Sequence, residues 1–226
     1  GVVGTLLCYA WYLRDSEGRS WVWIVSGGVA LGLSLLSVGL LGLVVVPIAE
    51  AGYRVTGIDT SAAMLDVARK RVEAEGVSER VTLLELGMEE AAEAPGGPFG
   101  VVIASLNSLL HLDTPAAQRA ALAQAFTALD PRGQLLIDVM NPTPSTLAAL
   151  DHQYVLEGSW HREDGSLVQK FSSRRVSPAQ QQIETQIWYD IIAPDGGLRR
   201  IPTSFTMRYL HRSELELMLE LAGFAG

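Results

Sequence analysis

An aspartate stands where a short strand is expected to meet a helix. The β-rich run Arg54–Ile58 ends in Asp59, and Thr60 and Ser61 follow with side chains that suit a helix N-cap. A carboxylate there lies at the carboxyl edge of a parallel sheet, where nucleotides bind in open α/β folds. Its two oxygens can accept both hydroxyls of a ribose. The pattern predicts a nucleoside-binding aspartate; capping of the helix by Asp59 is the alternative.

His111 is the side chain best suited to proton transfer, because an unperturbed imidazole titrates near neutral pH. A structural hydrogen bond at a helix edge is its alternative role. The other histidines, His152, His161 and His211, are scattered without the spacing of metal ligands, so no metal site is predicted. Neither a nucleophile elbow nor a phosphate loop is found.

The elements that must position these residues alternate between strand and helix from Ala51 to Met140. Such alternation predicts βαβ units and an α/β fold with a mostly parallel sheet flanked by helices. The expected strands are Arg54–Ile58, Val81–Leu86, Phe99–Ala104 and Gly133–Val139, and the expected helices are Ser61–Glu75 and Thr114–Leu129.

Beyond Asn141 the pattern changes to longer β-rich runs separated by turn residues, which predicts an antiparallel insertion. Its strands are expected at Val168–Val176, Ile183–Ile192 and Leu198–Leu210, before a helix at Glu214–Ala222. The predicted organisation is an N-terminal segment (1–20), a cofactor-binding core (21–150), the insertion on the acceptor side (151–210) and a returning helix of the core (211–226), after which we expect the chain to be truncated.

An uncharged stretch from Trp21 to Ala49 admits two interpretations. A buried strand, a glycine turn and a buried helix read as one continuous apolar run in a parallel sheet, and this is the interpretation we favour. The alternative is a membrane anchor, since the run exceeds the roughly 20 residues that span a bilayer.

Composition narrows the function. The net charge is −8, from 17 basic and 25 acidic residues, which disfavours a protein that grips nucleic-acid backbones. We therefore expect a small-molecule partner. The sequence contains no feature that predicts an oligomeric state. The single cysteine, Cys8, excludes an intramolecular disulfide and favours a reducing compartment, hence the cytoplasm.

The stretch AEAGYRVTGIDTSAAMLDVARKR resembles the adenosine-binding part of class I S-adenosylmethionine-dependent methyltransferases. FGVVIASLNSLLHL, LDPRGQLLIDVMNP and LHRSELELMLELAGF are similar to later parts of the same Rossmann-like domain. Together with the β-rich insertion, the resemblance is to the small-molecule N-methyltransferase branch. It implies S-adenosylmethionine as the cofactor and a small-molecule methyl acceptor.

The resemblance also implies roles for single residues. Asp59, with Thr60 beside it, would hold the ribose, and His111 would face the acceptor and take its proton. The other implied cofactor residues are Gly39, Gly42, Met64, Gly87, Met88, Leu106 and Asn107, and the other acceptor residues are Tyr12 and Tyr209. For Met64 a place in the helix's apolar core is the alternative.

Two departures from the family pattern concern the cofactor. The glycine-rich first motif is degenerate: of its glycines only Gly42 matches, with Gly39 one place off, and Leu36 replaces its acidic residue. Gly87 stands where the family carries an aspartate for the adenine amine. Losing two charge-assisted hydrogen bonds weakens affinity about 100-fold.

Three explanations of the degenerate motif stay open: a reading-frame error before Gly42, a non-catalytic relative, or a different loop geometry that binds through Gly39 and Gly42. The sequence therefore predicts a methyltransferase that acts on a small-molecule amine. The alternatives are a non-catalytic binding module with the same fold and a membrane-anchored variant.

Overall fold

A computed structural model describes residues 40–225 of the chain. These residues divide into two compact units. The first unit contains residues 40–106 and 120–138, and the second contains residues 107–119 and 139–225. The predicted insertion therefore lies in the second unit, together with the turn that carries His111.

The first unit alternates helix and strand as the pattern predicts. Helix α1 (Leu40–Glu50) precedes β1 (Val55–Asp59), α2 (Ala62–Ala74), β2 (Val81–Glu85), β3 (Phe99–Ala104), α3 (Pro115–Ala128) and β4 (Leu129–Ile137). Short 3-10 turns at Ser78–Arg80 and Met88–Glu93 flank β2. Helix α3 begins in the second unit and continues into the first at residue 120.

The strands of the first unit pair in parallel. Strand β1 pairs with β2, so that Asp59 lies opposite Glu85, and β3 pairs with β4. Within residues 40–225, no ladder of hydrogen bonds joins one pair to the other. The α/β class and the parallel pairing are confirmed.

Apolar packing of α1 fixes the position of β1. Val45, Val46 and Ala49 of α1 are buried in one cluster with Val72 and Val77. Gly57 lies at the centre of β1, where a Cβ atom would come within 3.1 Å of Val45 Cγ1 and 3.0 Å of Leu83 Cδ2. Because nothing larger fits without displacing these side chains, glycine allows α1 to approach the strand that ends in Asp59.

Strand β4 differs from its prediction. The predicted strand begins at Gly133, but the observed strand begins at Leu129 and residues 130–133 form a bulge inside it, because β3 advances from Phe99 to Val101 while β4 advances from Leu129 to Gln134. At Gly133 a Cβ would lie 2.8 Å from the carbonyl oxygen of Phe99, so only glycine fits the bulge.

The second unit contains an antiparallel sheet of four strands in the order β5-β6-β7-β8. They are β5 (Tyr154–His161), β6 (Leu167–Ser177), β7 (Gln182–Ile192) and β8 (Leu198–Arg208), preceded by α4 (Pro144–Leu150) and followed by α5 (Arg212–Ala222). The antiparallel meander and the closing helix match the expectation, whereas α4 and β5 lie outside the predicted elements. Helix α5 ends at Gly223 in a left-handed C-cap.

Only residues 40–49 of the apolar stretch Trp21–Ala49 fall within the described chain, and they belong to α1. None of the helices described between residues 40 and 225 has the length and apolar character needed to cross a bilayer.

Candidate functional site

Asp59 ends β1, and its backbone continues directly into the start of α2. Its Oδ1 accepts a 2.8 Å hydrogen bond from the backbone N–H of Ser61, while Ser61 itself is the N-cap and accepts from Met64 N at 3.3 Å. Among the described contacts this is the one hydrogen bond of the Asp59 carboxylate. The residue is half-buried, and its second oxygen is available to a ligand.

Thr60 and Gly87 come together at the same end of the β1–β2 pair. A Cβ built on Gly87 would lie 3.9 Å from Thr60 Cγ2 and 3.2 Å from Glu89 Oε2. The backbone N–H of Gly87 donates to Glu90 Oε2 at 2.9 Å, and Met88 begins the 3-10 turn. We call Asp59, Thr60, Gly87 and Met88 the edge cluster.

Leu106 and Asn107 follow β3 in left-handed backbone conformations, with φ of 58° and 62°. Such values are uncommon for residues other than glycine and cluster at functional sites. Asp138, just beyond β4, holds Leu106, because its Oδ2 accepts the Leu106 N–H at 3.1 Å. In the second unit, Asn107 Oδ1 accepts the N–H of Met140 at 2.6 Å.

His111 ends the 3-10 turn Ser108–His111, which we call the acceptor turn. Leu109 and Leu110 of this turn are buried, being 1% and 0% exposed. The imidazole contacts the Phe205 ring with centroids 5.1 Å apart. Although His111 is exposed by solvent accessibility, partial burial of the imidazole lowers its pKa below the ordinary histidine value.

The remaining predicted residues lie in three kinds of place. Gly42 is buried in α1, where a Cβ would lie 3.3 Å from Arg71 Cδ and 3.5 Å from Ala68 Cα. Met64 is half-buried near the start of α2. Tyr209 is 2% exposed, and its ring meets His211 edge-on at 5.6 Å. Gly39 and Tyr12 are outside the described residues, so every one of these roles stays a prediction.

No group of three or more potential metal ligands occurs in the part of the chain that the structure describes. Three polar residues outside the predicted set, Asp138, Gln118 and Arg208, are structural partners of the site. Asp138 carries a readable signal, a carboxylate directly after a strand, whereas Gln118 and Arg208 are 90 positions apart and meet only through the fold.

Comparison with known proteins gives the family context. A family model described as a methyltransferase domain matches residues 41–133. The chain is 33% identical over 128 residues to a ubiquinone biosynthesis O-methyltransferase of Nitrosococcus oceani, a match that covers 55% of this chain and 52% of that protein. It spans about half the length, or less, of the first curated relatives that it matches.

Solved structures share the fold. The CcbJ methyltransferase from Streptomyces caelestis has a TM-score of 0.63 and 25% identity, covering 81% of this chain and 68% of that one. CalS10, an amino pentose methyltransferase from Micromonospora echinaspora solved with S-adenosylmethionine bound, has a TM-score of 0.60 and 21% identity, covering 82% and 72%.

Proposed function

We propose that this chain, whose residues 41–133 match a methyltransferase domain and whose fold is shared with the CcbJ methyltransferase, is a class I S-adenosylmethionine-dependent methyltransferase that transfers a methyl group to the amine nitrogen of a small molecule in the cytoplasm. The observation that carries proton transfer from the acceptor is His111, a partly desolvated imidazole beside the Phe205 ring, on a turn whose Leu109 and Leu110 are buried. The lowered pKa keeps this imidazole neutral at neutral pH, so it can accept a proton.

The edge cluster fits the adenosine part of the cofactor. Asp59 offers a half-buried carboxylate, whose orientation is fixed by the hydrogen bond from the Ser61 N–H to one of its oxygens. A carboxylate oriented in this way can accept hydrogen bonds from a pair of ribose hydroxyls. Gly87 offers a backbone N–H that is already bonded to Glu90 and no side chain for the adenine amine. Ribose recognition through Asp59 is therefore the larger part of the adenosine interaction.

The cofactor, when bound, supplies a methyl group on a positively charged sulfur. The acceptor nitrogen forms the new bond to carbon as the bond from carbon to sulfur breaks, leaving a neutral thioether. The methylated nitrogen then carries a proton and a positive charge, and His111 takes that proton. Alignment and exclusion of water contribute the rest of the rate enhancement.

Similarity to known proteins also supports a second candidate, methyl transfer to a hydroxyl oxygen. The relative from Nitrosococcus oceani is named an O-methyltransferase, whereas the neighbour CalS10 is named for an amino pentose. Both acceptors need a proton removed, so His111 has the same role in either reaction. The amine acceptor is our preferred proposal because a neutral amine attacks through its lone pair and loses its proton afterwards, whereas a hydroxyl must lose its proton as it attacks.

The experiment is transfer of labelled methyl from S-adenosylmethionine to amino sugars, to the matching sugars with a hydroxyl in place of the amine, and to a catechol. We expect label on the amine. Its rate should rise with pH through the His111 pKa, below the usual histidine range, and should fall strongly in His111→Asn. The control is His152→Asn, which removes an exposed histidine.

Label on the catechol alone would replace the amine with an oxygen acceptor. Binding of S-adenosylhomocysteine without transfer to any acceptor would favour the non-catalytic module. Equal rates in His111→Asn and the unmodified chain would refute the role of His111.

A further inference from the structure

A buried polar network lies beneath the acceptor turn in the second unit, and its centre is Gln118 of α3. This side chain is completely buried. Its Nε2 donates to two backbone carbonyls, Leu109 O at 3.3 Å and Arg208 O at 2.9 Å, and its Oε1 accepts from Arg208 Nη1 at 2.7 Å. Both donors and the acceptor of one amide are thus used.

Arg208 extends the network from the end of β8. The residue is 5% exposed, and its guanidinium donates to Gln181 Oε1 at 2.7 Å and to the Glu214 carboxylate at the start of α5. Gln181 in turn donates to the other oxygen of Glu214 at 2.7 Å. A buried charge that is fully paired in this way fixes one arrangement, because any shift leaves a charge without a partner.

The network connects to His111 by two routes. Leu109, whose carbonyl accepts from Gln118, lies two residues before His111 in the same turn. Phe205, whose ring contacts the imidazole, lies three residues before Arg208 on β8. The Gln118 amide therefore joins the turn that carries His111 to the strand that carries the ring next to it.

We propose that Gln118 and Arg208 are positioning residues, which hold the acceptor turn against β8 and so place the His111 imidazole for proton transfer. This inference rests on the proposed function, since it assigns a purpose to the position of His111. Neither residue touches the reacting atoms; both act through Leu109 and Phe205.

The charged groups near His111 do not compete with this explanation. Arg208 and Glu214 are paired with each other within the network. Asp113 lies two residues beyond His111, and its backbone carbonyl accepts a 3.1 Å hydrogen bond from Gln182 Nε2. Burial is the cause of the lowered His111 pKa, and the Phe205 ring lies against the imidazole, so we expect the position of the ring to influence that pKa.

The test uses the full chain and the variant Gln118→Met, which keeps the side-chain length and removes every hydrogen bond of the amide. The His111 pKa is followed by NMR of its imidazole, assigned by the signal that His111→Asn removes. We expect the pKa to rise toward 6.5, the ordinary value. The acid limb of the pH profile for methyl transfer should move up with it, and kcat should fall about tenfold or more. The dissociation constant of S-adenosylhomocysteine should change less than about twofold, since the edge cluster lies in the first unit and, in the described part of the chain, shares no hydrogen bond with Gln118.

Gln124→Met is the matched control. This glutamine lies on the same helix and also bonds to the backbone, but its Oε1 accepts from the N–H of Ala92 at 3.3 Å in the first unit, outside the network. It should leave the His111 pKa and the pH profile unchanged. Phe205→Leu is the second variant, because it keeps the network and removes the ring beside His111; it should raise the His111 pKa even where Gln118→Met does not fold.

A lowered melting temperature in Gln118→Met with an unchanged His111 pKa and pH profile would overturn the proposal and leave the network a purely structural one. An unchanged pKa in Phe205→Leu would also overturn it. Failure of the proposed function is a separate outcome, because absence of cofactor binding or methyl transfer leaves the NMR titration of His111 readable.

Discussion

The edge cluster of the first unit and the acceptor turn of the second are held by hydrogen bonds whose partners differ greatly in sequence separation, which we call the reach of the bond. Asp59 bonds to Ser61 and Gly87 to Glu90, partners two and three residues away. The acceptor turn depends on Gln118 and Arg208, which are 90 residues apart. Local bonds form wherever the chain takes the right turn, whereas long-range bonds require the complete fold.

This contrast predicts which substitutions change ligand affinity and which change folding stability. Substitutions in the edge cluster should change ligand affinity with little effect on folding, because few other groups depend on them. Substitutions in the network beneath the acceptor turn should change folding first, because they leave buried charges and amides without partners.

The largest effect is expected for Arg208→Met. Removing the guanidinium leaves Glu214 and two glutamine oxygens without their donor, and the free energy of unfolding should fall by about 3–5 kcal/mol. Chemical denaturation measures it. Arg212→Met removes an exposed arginine that pairs with Glu216 one turn along the same helix and should leave the midpoint unchanged. Equal losses in the two variants would remove the distinction between the network and an ordinary surface pair.

A smaller loss is expected for Asp138→Ala. Its carboxylate holds the left-handed backbone at Leu106 across 32 residues, and a hydrogen bond to a charged group contributes about 1.5–3 kcal/mol. Thermal unfolding gives the change, with Asp130→Ala as the control, since Asp130 makes only a local bond to the N–H of Arg132. If Asp130→Ala lowered the melting temperature as much as Asp138→Ala, the reach of the hydrogen bond would not determine its contribution to stability.

The network should also give stability a pH dependence. Burial alone raises the Glu214 pKa, but hydrogen bonds from Arg208 and Gln181 and the charge of Arg208 outweigh it, so the pKa lies below the ordinary glutamate value. The unfolded chain then binds more protons, and the contribution is complete above pH of about 4.5 and is lost as pH falls through the folded-state pKa. Denaturation between pH 3 and 7 should show a shallower acid slope in Glu214→Gln. An unchanged slope would mean that the carboxylate does not titrate as part of the network.

The smallest effects are expected at helix caps. Ser61→Ala removes the cap of α2 and Thr143→Ala the cap of α4, each costing about 1 kcal/mol. Because both bonds are local, the two losses should be alike although they lie in different units. A loss at Thr143 several times that at Ser61 would show that the unit, and not the reach of the bond, sets the cost.

The same difference in reach explains how much the sequence predicts. The strand ending in Asp59, the capped helix after it and the antiparallel meander follow from period and turn residues that can be read within short windows. The bulge at Gly133 does not, because the need for glycine comes from the Phe99 carbonyl on another strand.

The acceptor side shows the limit most clearly. His111 is predictable as a titratable residue, but the Phe205 ring that contacts its imidazole comes from a strand 94 residues later (205 − 111). Gln118 looks like an ordinary polar helix residue in the sequence, and only the fold buries it completely. Residue types thus indicate which chemistry is available, while tertiary contacts decide how each side chain is buried and positioned.

The most direct test of the account is calorimetric titration of the full chain with S-adenosylhomocysteine, repeated with Asp59→Ala and with Asp66→Ala as the control on the exposed face of α2. We expect one binding site, about 100-fold weaker in Asp59→Ala and unchanged in Asp66→Ala, because the carboxylate accepts both ribose hydroxyls. Absence of binding at millimolar ligand, or equal affinity in Asp59→Ala, would contradict the assignment of the edge cluster as the cofactor site.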